Sequence, residues 1–101
     1  MILLQYPSQI LQKKACLPSK IHSHMMLALN DTSVIIMGGY NGNEYQNNVL
    51  RYDLLTNSYK VLNSMQQARS SAGAILYKDK VYIFGGHFNL EYLDNIESYD
   101  P

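Results

Sequence analysis

The chain is poor in the residues that build covalent staples, metal cages or long apolar spans. Cys16 is its one cysteine, so no disulfide forms within it and no thiolate-rich metal site can be assembled from it. That usage suits a reducing compartment, and a cytoplasmic, intracellular location is expected. Charge is scarce, at 16% of residues, with eight acidic against eight basic side chains. No broad field exists to draw the protein to nucleic acid or anionic lipid, and neither is expected as a partner. The only adjacent basic pair, Lys13-Lys14, is explained by solvation at a strand edge. No apolar run approaches the ~20 residues that cross a bilayer as a helix. The start, Met1-Ile2-Leu3-Leu4-Gln5-Tyr6-Pro7, has neither the basic head nor the apolar length of a signal peptide.

What is present is a folded composition, 47% hydrophobic, arranged as a repeat. Gly38-Gly39 recurs as Gly85-Gly86, an offset of 47 residues (85 − 38). At the same offset Val34-Ile35-Ile36-Met37 falls on Val81-Tyr82-Ile83-Phe84, Glu44-Tyr45 on Glu91-Tyr92, Asn48 on Asn95, and Tyr52-Asp53 on Tyr99-Asp100. The anchors fit one frame without insertion or deletion.

Short runs of β-branched and aromatic residues separated by turn formers predict an all-β fold of four strands per unit. In the first unit these are strand a from His22 to Leu29, b from Val34 to Met37, c from Val49 to Tyr52 and d from Ser58 to Leu62. The second unit repeats a, b and c at Ser71 to Leu76, Val81 to Phe84 and Ile96 to Tyr99. Leu3 to Pro7 resembles the c segment, and Ile10 to Ala15 then reads as an outer strand. The expected division is therefore 1–16, partial outer strands of a preceding unit; 17–63, a first complete unit; and 64–101, a second unit lacking its last strand.

Glycine pairs at strand ends permit positive φ and close backbone approach, a scaffold role for Gly38, Gly39, Gly85 and Gly86. A phosphate-binding loop would continue into a helix carrying Lys-Ser/Thr, and Gly38-Gly39-Tyr40-Asn41-Gly42 does not. Tyr52-Asp53 and Tyr99-Asp100 each place an aromatic at the end of strand c and an Asp able to start a turn. Gly-Gly, a loop, Val-x-x-Tyr-Asp, then Thr56-Asn57-Ser58-Tyr59, then Met65 and Arg69, together resemble the kelch repeat. The resemblance covers almost the whole chain and implies four-stranded blades of a β-propeller, at a period near the ~50 residues of that family. Two positions depart from it: Tyr59 stands where the family usually has Trp, and His22 where the second unit has Arg69.

Propellers close with four to eight blades, and about two are present, so an incomplete propeller is expected. The remaining blades would come from a longer chain or from self-association. Loop b–c and the d–a connection share one end of each blade. Loop b–c carries Tyr40, Asn41, Asn43, Tyr45 and Asn47 in the first unit and His87, Phe88, Asn89, Tyr92 and Asp94 in the second. Aromatic rings and asparagines on the loops of a rigid frame suit recognition of a protein or peptide. Tyr45 and Tyr92 recur at one place and read as packing. Tyr40, Asn41, Asn43, His87, Phe88 and Asn89 are the contact candidates. Arg69 is the seventh, because the resemblance implies an arginine reaching either the channel mouth and a partner carboxylate or a neighbouring blade.

The enzyme alternative rests on His22 and His24, two apart on one strand and so on one face, able to hold Zn or Cu with a third ligand. The resemblance extends to propellers housing a copper centre or an epimerase pocket. No Gly-x-Ser-x-Gly elbow is present, and Cys16 has no evident base. A non-catalytic interaction module needing no cofactor is the expected function. The resemblance implies substrate recognition in ubiquitin-ligase adaptors, or a cytoskeletal or scaffold role.

Overall fold

The structure is a computed structural model that describes residues 21–101. Among the described residues nine strands follow one another: β1 (Met25–Ala28), β2 (Ser33–Met37), β3 (Val49–Asp53), β4 (Ser58–Leu62), β5 (Gly73–Tyr77), β6 (Lys80–Phe84), β7 (His87–Phe88), β8 (Glu91–Tyr92) and β9 (Ile96–Tyr99). They form an antiparallel sheet ordered β1-β2-β3-β4, a second ordered β5-β6-β9, and a small hairpin of β7 and β8. The all-β blades expected from the sequence are there. The expectations for Leu3 to Pro7, Ile10 to Ala15, Lys13-Lys14 and Cys16 lie outside the described residues.

Local chemistry makes each turn. The Asn30 side-chain oxygen accepts bonds from the backbone N–H groups of Thr32 (2.9 Å) and Ser33 (3.0 Å) and from both their hydroxyls, closing β1 onto β2. Asp53 Oδ1 accepts from Leu55 (2.8 Å) and Thr56 (3.1 Å), closing β3 onto β4 as its place in the Tyr-Asp pair predicts. Those two backbone bonds, from Thr56 and then Leu55, hold the Asp53 carboxyl below its ordinary range. Between β5 and β6 the pair Lys78-Asp79, with φ of 49° and 66°, makes a two-residue turn of the I′ kind that suits strand twist.

Strand a begins later than expected in both units, at Met25 and Gly73 rather than His22 and Ser71. Ser23 and Ser71 have φ of 57° and 54°, a left-handed kink that ends the extended run. The frame also shifts there. Met37 and Phe84, 47 apart, pair with Met25 and Gly73, which are 48 apart. The repeat is therefore not free of insertion: three residues turn β1 into β2, with the Leu29 N–H bonded to the Ser33 carbonyl, and two turn β5 into β6. His22 consequently corresponds to Ser70, and Arg69 to Ile21.

The sheets meet through opposite faces of equivalent strands. Ile35 and Met37 of β2, with Val49 of β3 and Met25 of β1, pack against Val81 and Ile83 of β6 and Tyr99 of β9; Met65, from the connection between sheets, completes the cluster. Alternation along a strand demands this, because Val81 and Ile83 match Val34 and Ile36, the other face of β2. Each fully buried aliphatic side chain contributes roughly 1.5–3 kcal/mol. Tyr99 seals one end by donating its hydroxyl to the Asn63 carbonyl. Met26, Tyr59 and Val61 on one outer face, and Ile75, Tyr77, Phe84 and Ile96 on the other, stay exposed. Tyr59 thus covers no neighbouring sheet among the described residues. β3 carries β4 on its outer side, whereas β9 has no described neighbour there.

Two measurements check this account. A Cβ at Gly39, where φ is +101°, would stand 2.8 Å from the His22 carbonyl oxygen, whereas Gly42 at the same φ has nothing within 4 Å. Gly42→Ala should lower stability by about 1 kcal/mol and Gly39→Ala by at least about 2 kcal/mol in urea unfolding; equal shifts would refute the close approach. Burial raises the Tyr99 phenol above its ordinary 10.0. Because the folded value is the raised one, its contribution is complete below pH 10 and is lost as pH climbs through the folded value. Tyr99→Phe should flatten that part of the alkaline stability profile.

Candidate functional site

The connection from β4 to β5 is stitched between the two b–c loops. Met65 N–H donates to the Asn47 carbonyl (2.9 Å), Arg69 N–H to Gln46 (3.2 Å), Gly39 N–H to Arg69 (2.9 Å), and Ser70 exchanges bonds with His87 at 3.0 and 2.8 Å. Those bonds hold both loops at one end of the sheets.

On that end lies a continuous run of rings. His22 meets Tyr40 edge-on at 5.5 Å between centroids, Tyr40 meets Tyr45 at 4.8 Å, Tyr45 meets His87 at 5.9 Å and Phe88 at 5.6 Å, and His87 stacks on Tyr92 at 5.0 Å. Offset and edge-to-face pairs at these distances add roughly 0.5–1.5 kcal/mol each beyond area burial. The Tyr45 hydroxyl also donates to the Asn89 carbonyl at 3.3 Å. Tyr45 is thus the rivet between the units. Tyr92, which the sequence pattern makes its packing equivalent, is instead 88% exposed, with one ring face on His87 and the other open.

The other candidates divide by environment. Tyr40 and His87 are half-buried and Phe88 packs on Tyr45, so all three carry scaffold duty along with any contact role. Asn41 is exposed, but its side-chain oxygen accepts from the N–H groups of Asn43 (2.9 Å) and Glu44 (2.8 Å) and shapes the turn. Asn43 and Asn89 are exposed, and Asn89 has φ of 56°. The second b–c segment, a plain loop by its sequence pattern, instead forms the β7–β8 hairpin, in which His87 faces Tyr92 and Phe88 faces Glu91.

Arg69 is 1% exposed. Its guanidinium donates to the Gly85 carbonyl (2.7 Å), to Asn95 Oδ1 (2.8 Å) and to Glu97 Oε1 (3.3 Å), all in its own unit rather than a neighbouring blade or the channel mouth. Glu97 in turn accepts from the backbone N–H groups of Gln66 (2.6 Å) and Gln67 (3.3 Å) on the connection. Arg69 Nε is buried with no partner among the described residues, and Arg69 lines a polar cavity of 610 Å³ with Gln66, Gln67, Asn95 and Glu97. In the first unit the corresponding positions are Ile21 and Leu50. They line a pocket of 240 Å³ with Ile36, Gly38, Asn48 and Val61. One joint is closed by a charged pair and the other is lined by aliphatic side chains.

The histidine pair does not have the geometry expected of it. His22 bridges to Tyr40 outside any named strand and Ser23 interrupts the extended chain, so strand alternation does not align His22 with His24. The His24 Nδ1 is buried and unpartnered among the described residues. No group of three or more His, Cys, Asp or Glu suited to a metal occurs among them.

Removing one member of a buried charge pair leaves the other uncompensated, at about 3 kcal/mol or more. Arg69→Met should lower stability by that amount. Arg69→Met/Glu97→Leu, which copies the apolar chemistry of Ile21 and Leu50, should recover at least about half of the loss. Additive losses in a double-mutant cycle would show that the pair does not act as a unit.

The kelch-motif family model matches residues 28–66 and 68–101. Among curated proteins the chain is similar to Kelch-like protein 41a of Danio rerio, at 31% identity over 84 residues, covering 83% of this chain and 14% of that protein. It is similar to Kelch-like protein 7 of Rattus norvegicus at 41% over 49 residues, 48% of this chain and 8% of the relative. A third relative is Kelch repeat and BTB domain-containing protein 2 of Ectromelia virus (strain Moscow), at 33% over 67 residues, 66% of this chain and 12% of that protein. The chain thus spans about one seventh or less of these relatives. With two family matches over the same segments that form antiparallel sheets packed face to face, the chain belongs to the kelch family and forms blades of an incomplete β-propeller.

Proposed function

We propose that this chain is a non-catalytic recognition element, part of a kelch propeller that presents its b–c loop end to a protein or peptide partner. The observation that carries this is the run of rings from His22 to Tyr92, which crosses both units on loops held by the connection. Aromatic side chains on a rigid base supply contact area at low entropic cost. Tyr40, Asn41, Asn43, His87, Phe88 and Asn89 form the contact surface, and Arg69 acts from beneath it by fixing Gly85 and Asn95 at the root of the second loop.

The exposed sheet faces bearing Phe84 and Ile96 on one side and Met26 and Val61 on the other fit further blades, supplied by a longer chain or by another copy. One relative's name includes a BTB domain, which favours substrate recognition or scaffolding within a larger protein. The enzyme alternative rests on His22 and His24, whose placement lacks the strand geometry it used.

The test is quantitative partner capture by the wild-type chain, by Tyr40→Ala/Phe88→Ala, and by Leu55→Ala/Tyr77→Ala at the far end as a control. Partners held by the loop end should be retained by the control and fall at least about tenfold with the loop variant, as loss of aromatic hot spots does. Capture unchanged by the loop variant would refute the assignment.

A further inference from the structure

The two ring-bearing loops carry charge of one sign. Between residues 40 and 48 and between 85 and 95 the charged side chains are Glu44, Glu91 and Asp94, with no lysine or arginine. All three are exposed. The sole ion pair among the described residues is that of Arg69 with Glu97, so none of the three is neutralised by a described partner. The other described basic residues are Arg51 and Lys60, paired across β3 and β4, and Lys78 and Lys80 at the β5–β6 turn of the opposite end. That opposite end carries both signs, with Asp31, Asp53, Asp79 and Asp100 at the same end of the strands as the two lysines. Both ends are thus net negative, and the ring-bearing loops differ in carrying carboxylates with no lysine or arginine among them.

The carboxylates are interleaved with the rings. Glu44 precedes Tyr45, and its repeat equivalent Glu91 precedes Tyr92 and lies across the hairpin from Phe88. Beside them His87, Tyr92, Leu93, Ser71 and Gly86 line a pocket of 380 Å³. A ring face next to an unpaired carboxylate offers a cation both quadrupole and Coulomb attraction. Phe88, across the hairpin from Glu91 and on the same face, is the clearest case, and Tyr92 offers an exposed ring on the other face. An acidic segment would meet repulsion here and no described basic group to answer it.

We infer that the loop end takes an extended protein segment bearing lysine or arginine, whose cationic heads sit along the ring run against Glu44, Glu91 and Asp94. This rests on the loop-end assignment above and adds the chemistry of the partner to it.

The experiment uses the full chain and two short labelled Gly/Ser peptides, one with alternating arginine and lysine and one with glutamate at those positions, compared by fluorescence polarisation. The cationic peptide should bind, more weakly as salt rises, and the acidic one should not. Glu44→Gln/Glu91→Gln/Asp94→Asn should weaken binding at least about tenfold by removing the complementary charge. Tyr92→Ser, at an exposed ring, should weaken it roughly two- to fivefold. Asp31→Asn/Asp100→Asn at the far end should change it by less than about twofold, which separates a site from general attraction. Equal binding of the acidic peptide, an unaffected triple variant, or the same loss from the far-end variant would each overturn the inference. The triple variant also enters the partner-capture assay. Capture lost with Tyr40→Ala/Phe88→Ala but kept with the triple variant overturns the charge assignment and leaves the loop end standing. Capture kept by both overturns the two together.

Discussion

The close approach of the connecting segment to the paired glycines is the contact on which the loop end depends. The Arg69 carbonyl accepts the Gly39 N–H and lies where a Cβ at Gly38 would collide with it, while the Ser70 carbonyl comes within 2.7 Å of a Cβ built on Gly86. Two strand ends in the left-handed region turn the chain out of β2 and β6 and leave room for the connection to pass beneath both loops. With that segment seated, Met65 enters the core, Arg69 reaches Glu97, and the loops stand close enough for Tyr45 to touch His87 and Phe88. A bulkier residue at those glycines would separate packing, ion pair and aromatic run at once.

The two units solve one joint in two ways. In the second, a guanidinium and a carboxylate are taken from water and answered by a carbonyl, an amide and two backbone N–H groups. In the first, Ile21 and Leu50 occupy the matching places. Charged pairs and aliphatic pairs of similar volume are often close in net stability. They differ in directionality, since the charged pair also orients Asn95, Gly85 and the connection, on which the second loop is built. That difference sits on the side of the molecule where the hairpin of β7 and β8 forms and the first unit has a single bridge between Tyr40 and Tyr45.

A small charge content makes the distribution of charge more telling than its sum. All eight acidic residues but only five of the eight basic ones are described, and repeat-equivalent glutamates fall on equivalent loops. Rings and carboxylates therefore share a surface whose rigidity comes from below, through the connection, and whose chemistry comes from the loops themselves.

The periodic features of the fold are legible in the amino-acid sequence. The strands Ser58–Leu62 and Ile96–Tyr99 fall where β-branched and aromatic runs between turn formers put them, and Asp53 makes the turn its type predicts. Those are local effects, decided within a few residues by alternation and side-chain-to-backbone bonds. The frame of the repeat breaks where one residue is added: the three-residue turn after β1 displaces strand a by one place, and a frame drawn through the glycines aligns His22 with Arg69 when space aligns it with Ser70. Only the tertiary structure could place Arg69 inside its own blade, 28 residues from its carboxylate partner in sequence, and separate Tyr45 from Tyr92. Tyr45 has a second unit beside it and becomes a rivet, while Tyr92 has no described ring contact beyond His87 and stays open. The same Glu-Tyr pair closes a single bridge in the first loop and a two-stranded hairpin in the second. What lay across the interface, which no local pattern encodes, decided burial and hence which rings are available to a partner.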